Sequence, residues 1–107
     1  MEPQTVTELR RQVARIKAAF AQALENRRNA ENNRLQAILD REHAERELAA
    51  HATRETKSDL KNAKQKLKQA TEEFETADKA FMTVYKQKIH LEDELKRAQE
   101  RKTRNVR

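Results

Sequence analysis

LKNAKQKLKQATEEFETADKAFMTVYKQKIHLEDELKRA, residues 60–98, decides the fold. Steps of three and four lead through Leu60, Ala63, Leu67, Ala70, Phe74, Ala77, Phe81, Val84, Lys88, Leu91, Leu95 and Ala98, and every residue but Lys88 is apolar. The residues between them are almost all polar. A heptad seam held over more than five repeats marks a coiled coil rather than a globular amphipathic helix. Mostly large residues take its a positions and mostly alanine its d positions. Lys88 falls at a, where a cation is best tolerated in a thin two-stranded seam that lets its stem reach out to water.

Towards the N-terminus, Val6, Leu9, Val13, Ile16 and Phe20 begin a second seam. Thr5-Val6-Thr7-Glu8 reads as a capping box at its start, with Pro3 in an extended lead-in over residues 1–4. Residues 25–56 are a weak, polar middle. One reading of them adds steps of four, as stutters, and passes through Leu24, Arg28, Glu31, Leu35, Ile38, Glu42, Glu45, Ala49 and Ala52. The other keeps a strict heptad, with Ala23, Ala30, Ala37 and Ala44 at d but Arg27, Arg34 and Arg41 at a. Neither gives a dense core.

The fold class is therefore all-α, with two architectures open. In the first, one nearly continuous helix over residues 5–102 pairs in parallel with a second copy, and residues 103–107 form a basic tail. In the second, the chain turns near residues 51–58 into an antiparallel hairpin, for which Thr53, Thr56 or Ser58 could cap a second helix. The segment His51 to Lys57 contains no glycine, proline or asparagine, which favours the continuous helix and the homodimer. Its core would be Leu60, Leu67, Phe74, Phe81, Val84, Leu91 and Leu95.

Composition narrows the function. Of 107 residues, 39% are charged, none is glycine or cysteine, and one is proline. Mean hydropathy is −1.19, too low for a compact single-chain core. Without cysteine there are no disulfides or thiolate metal sites. No apolar run approaches the ~18 residues that span a membrane, and the N-terminus has no signal- or transit-peptide pattern. An intracellular protein, or a segment of one, is expected. The formal net charge of +6 favours an acidic partner.

No enzyme is expected, because a two-stranded coil forms no enclosed pocket, and no cofactor is implied. His43, Glu47 and His51 are four apart but lack the further ligands a structural metal requires. Phe20, Phe74 and Phe81 fall on seams and Tyr85 beside one, so they read as core rather than as stacking platforms. Arg27-Arg28 followed by Asn29 to Arg34 is too sparse for a basic zipper, and Leu39 is followed at seven and fourteen by Arg46 and Thr53, so sequence-specific nucleic-acid binding is not expected. The narrow, alanine-rich seam suits a protein partner better than a membrane surface.

Two basic clusters remain, Lys57, Lys61, Lys64, Lys66 and Lys68, and then Lys96, Arg97, Arg101 and Lys102 running on to Arg107. Heptads with interspersed lysines and a basic end resemble the rod segments of cytoskeletal, motor-associated and kinetochore proteins. In particular the chain resembles the coiled coil of the unconventional microtubule-binding kinetochore protein of kinetoplastids. The resemblance implies a structural, oligomerising rod in the nucleus or cytoskeleton whose basic residues lie against the acidic tubulin surface of microtubules. The alternative is a structural spacer, or a helical adaptor or chaperone that binds no polymer.

Overall fold

The computed structural model describes residues 5–105. Two helices account for nearly all of them: α1, Val6–Ala50, and α2, Arg54–Asn105. Among the described residues there is no strand. The expected lead-in at residues 1–4 and the last residues of the basic tail, 106 and 107, lie outside the described residues. Residues 103–105 of that tail continue α2.

The Thr5 hydroxyl caps α1, accepting from the Glu8 N–H at 3.1 Å, and the Thr5 carbonyl accepts from Leu9 at 3.0 Å. The helix then runs to Ala50 and stops. The single helix expected over residues 5–102 is interrupted at His51, Ala52 and Thr53, and the hairpin forms instead. Hydroxyl chemistry explains how it forms without a glycine. The Thr53 Oγ1 accepts from the Thr56 N–H at 3.1 Å, and the Thr56 Oγ1 accepts from the Thr53 N–H at 2.9 Å. This is a reciprocal capping box with threonine in the place usually held by glutamate. The Thr56 hydroxyl also donates to the His51 carbonyl at 2.6 Å. The Thr53 N–H reaches the same carbonyl at 2.9 Å, and the Thr53 carbonyl accepts from Lys57 at 3.1 Å as α2 begins. No residue with positive φ is needed.

The chain divides into two units. The first described here, residues 25–79, holds the turn and the parts of α1 and α2 beside it, packed antiparallel. Counting outward from a turn centred on Ala52 sets Ala30, Ala37 and Ala44 of α1 level with Phe74, Leu67 and Leu60 of α2. It likewise sets Arg27, Arg34 and Arg41 level with Ala77, Ala70 and Ala63. Each large side chain thus meets an alanine, which lets the backbones approach closely. Ala30, Ala37, Ala44, Ala63 and Ala70 are buried. The arginines are half-buried. Their stems cover the seam, and their Nε atoms are buried beside it. Arg27 Nε lies 3.0 Å from Asp78 Oδ1, and Arg41 Nε 3.4 Å from Glu45 Oε1. The Arg34 guanidinium sits over the Phe74 ring, 5.5 Å from its centroid. The strict-heptad reading of the middle is therefore the one α2 packs against, and the stuttered reading is not.

The other unit, residues 1–24 with 80–107, pairs the start of α1 with the end of α2. Leu9, Val13, Ala23 and Ala98 are buried there. Phe20 packs against Phe81 at 5.2 Å and Tyr85 at 6.2 Å between ring centroids. Lys88 reaches over Phe20, its Nζ 5.2 Å from the ring centroid, and pairs with Glu92 at 2.9 Å. The seam cation thus lies between an aromatic ring and a carboxylate of its own chain.

The residues expected to form a dimer core are half-buried on the inner stripe of α2. Leu60, Leu67 and Phe74 lie in the unit with the turn, and Phe81, Val84, Leu91 and Leu95 in the other. The chain uses internally the seam that the sequence offers to a second copy.

Candidate interaction surface

With a and d turned inward, the remaining heptad positions form two flanks. The g and c positions mix uncharged polar side chains, such as Asn26, Asn29, Asn33, Asn62 and Gln69, with charged ones, such as Asp40, Glu47, Asp59 and Lys66. The e and b positions carry charge and apolar bulk.

On α2, Lys57, Lys61, Lys64 and Lys68 occupy successive e and b positions at steps of four, three and four. All four are exposed, and none makes an ion pair among the described residues. They form one basic line. Lys66, expected to act with them, sits on the opposite flank. It lines an open concavity of about 370 Å³ floored by Ala44 and Ala63, where Asp40, Glu47 and Asp59 surround it with negative charge. The first cluster is therefore four lysines with a fifth turned away.

The C-terminal cluster is less free. Lys96, Arg101 and Lys102 are exposed, but Arg97 pairs with Asp93 at 3.1 Å. Lys96 borders a shallow groove with Gln99, Glu100 and Thr103. The histidines make pairs along their own helices, His43 with Glu47 at 3.9 Å and His90 with Glu94 at 2.7 Å. His51 contributes its carbonyl to the turn.

Sequence reasoning missed the exposed apolar residues. Leu35 and Leu39 are 53% and 56% exposed, and Met82, Tyr85 and Ile89 between 40% and 48%. Leu35 and Ile38 belong to the stuttered stripe that competed for the seam, so the signal was present but assigned to the interior. Met82 and Ile89 lie off the seam of α2.

No protein-family model matches the chain, and no curated protein or solved structure matches it at a significant level. Among the described residues no helix is long and apolar enough to cross a membrane.

Proposed function

We propose that the chain is a structural helical hairpin that docks on an acidic polymer through its basic line, with microtubules the polymer to test first. A kinetochore or cytoskeletal setting follows from that reading, and it assigns no reaction. One observation carries it: Lys57, Lys61, Lys64 and Lys68 are exposed on a single line of α2, with no ion pair to a carboxylate among the described residues. Aligned ammonium groups on a rigid helix suit a surface with repeated negative charge, where many weak contacts act together. Lys96, Arg101 and Lys102 extend the same chemistry at the other end of α2.

The test is co-sedimentation with polymerised tubulin. Binding should fall steeply as added salt shortens the Debye length from about 10 to about 3 Å. Lys→Glu at 57, 61, 64 and 68 together should abolish binding, whereas Lys66→Glu should leave it intact. Binding that survives reversal of both this line and Lys96, Arg97, Arg101 and Lys102 would overturn the reading. A helical adaptor is the second reading, favoured by the exposed Leu35, Leu39, Met82 and Ile89. Salt-insensitive capture of an apolar helix would support it instead.

A further inference from the structure

Met82, Tyr85 and Ile89 stand in one line on α2, at successive b and e positions, and are 41%, 40% and 48% exposed. The Tyr85 ring packs against Phe20 of α1 and against Phe81, each at 6.2 Å between centroids, which places the line where the two helices meet. In an antiparallel pair the e and b positions of both helices share one flank, as the g and c positions share the other around Ala44 and Ala63. On α1 the matching residues are Ala14, Lys17 and Ala21, all exposed. Short alanines beside the larger side chains of α2 leave a trough with Met82, Tyr85 and Ile89 as its wall. On the far side of that wall, an open concavity of about 340 Å³ is lined by Tyr85, Lys86, Ile89, His90 and Asp93. All of these residues except Ala44 and Ala63 belong to the unit of residues 1–24 and 80–107.

The uncompensated charge around the trough has one sign. From Leu9 to Leu24, α1 carries Arg10, Arg11, Arg15 and Lys17 and no carboxylate. On α2 the neighbouring carboxylates are already engaged: Glu92 with Lys88 at 2.9 Å, Asp93 with Arg97 at 3.1 Å, and Glu94 with His90 at 2.7 Å. Arg10, Lys17 and Lys86 make no ion pair among the described residues. An apolar strip bordered by such cations on both helices is complementary to a helix with an apolar seam and acidic edges. A bilayer fits less well, because a flat surface meets the wall of larger side chains but not the alanines beside it. We propose that this flank is a docking groove for an amphipathic helix of another protein. Its apolar seam lies on Met82, Tyr85 and Ile89, and its flanking Asp or Glu residues face Lys17 and Lys86. The docked helix completes a local three-helix bundle. The groove and the line from Lys57 to Lys68 belong to different units, so the inference does not rest on polymer binding.

The probe is a fluorescent peptide of about three heptads with leucine at a and d and glutamate at e and g. Its control carries lysine at e and g. Fluorescence anisotropy against the full chain reads binding. The glutamate peptide should bind and the lysine peptide should not. Met82→Ser with Ile89→Ser should weaken binding about tenfold or more, because both side chains are anchors in the groove. Lys17→Glu with Lys86→Glu should do the same. All four residues lie off the seam, so helicity by circular dichroism should be unchanged. At about 0.15 M salt, where the Debye length is about 8 Å, Lys→Glu at 57, 61, 64 and 68 together should leave peptide binding intact. No binding of the glutamate peptide, equal binding of both peptides, or binding that survives Met82→Ser with Ile89→Ser overturns the proposal. Binding lost with the 57, 61, 64 and 68 variant instead overturns it too, by returning the acidic helix to the lysine line. Self-association of the chain, or pelleting with phosphatidylglycerol vesicles, that is abolished by Met82→Ser with Ile89→Ser while the peptide fails to bind overturns it in favour of a second copy or a membrane.

Discussion

The hairpin depends on two hydroxyls, and removing them should straighten the chain. Thr53→Ala with Thr56→Ala eliminates the reciprocal cap and the hydrogen bond from Thr56 to the His51 carbonyl. An N-cap threonine contributes about 1 kcal/mol, and the additional exposed hydrogen bond about 0.5–1 kcal/mol. The two alanines also favour a continuous helix by about 0.5 kcal/mol each over threonine. The balance between bent and straight forms shifts by about 2.5–3 kcal/mol per chain. A straight chain can recover its seam contacts only by exchanging arms with a second straight chain. Both chains of that exchanged dimer gain the shift, so its association constant should rise by three to four powers of ten, at about 1.4 kcal/mol per tenfold.

Intrachain distance separates this exchanged dimer from a pair of hairpins, which mass alone does not. Cysteines at Thr7 and Lys96, labelled in chains diluted with unlabelled protein, should report a short separation in the native protein. Both positions lie in one unit, where paired helix axes are about 8–10 Å apart. In the straightened variant the same labels should be about 130 Å apart at 1.5 Å per residue. A double variant that keeps the short distance at concentrations up to about 1 mM, the weak limit of specific association, would refute the argument that the hydroxyls hold the bend.

Three further outcomes follow from the packing. Ala37→Leu puts a large side chain where α1 approaches α2 across from Leu67, and should destabilise the fold by about 1–3 kcal/mol in urea denaturation; Leu39→Ser, at a 56% exposed position, should change stability by less than about 0.5 kcal/mol. Arg41→Leu should stabilise the chain by about 1 kcal/mol, because a cation at a seam position lowers stability while it specifies register. Combining it with Arg27→Leu and Arg34→Leu should broaden the mass distribution in light scattering as that specification is lost. Phe74→Ala removes the ring beneath the Arg34 guanidinium and should cost about 2–3 kcal/mol, toward the low end for phenylalanine because the ring is only half-buried.

The helices were legible from spacing alone. The seam from Leu60 to Ala98 is the inner face of α2, and Thr5 caps α1 as its sequence indicates. The turn was legible only as an alternative, because helix endings are usually read from glycine, proline or asparagine. Here the ending is written in two threonines three residues apart, a weaker signal that many continuous helices also contain. The middle of α1 was harder for an energetic reason. Leu24, Leu35 and Ile38 outweigh Arg27, Arg34 and Arg41 on any hydrophobic count, yet the arginines face α2. The lysine line was legible as composition, but that Lys66 faces away from the other four depended on which residues of α2 turn inward.

The choice between the two stripes of α1 follows from its partner rather than from its own residues. The seam of α2 keeps strict steps of three and four from Thr56 to Ala98. A helix packed along it must present contacts with the same period, or the two seams rotate out of register. The stripe through Val6, Val13 and Phe20 meets that demand, and its strict continuation is Arg27, Arg34 and Arg41. Moving to the leucine stripe after Phe20 would require an extra step of four that α2 does not match. Alanines at d make the strict stripe workable, since they bring the backbones close and leave only long, flexible stems to fill the a positions. The leucine stripe is thereby released from the interior with its own unbroken heptad spacing. A strict period in one helix both fixes which residues its partner buries and leaves a second regular seam facing outward.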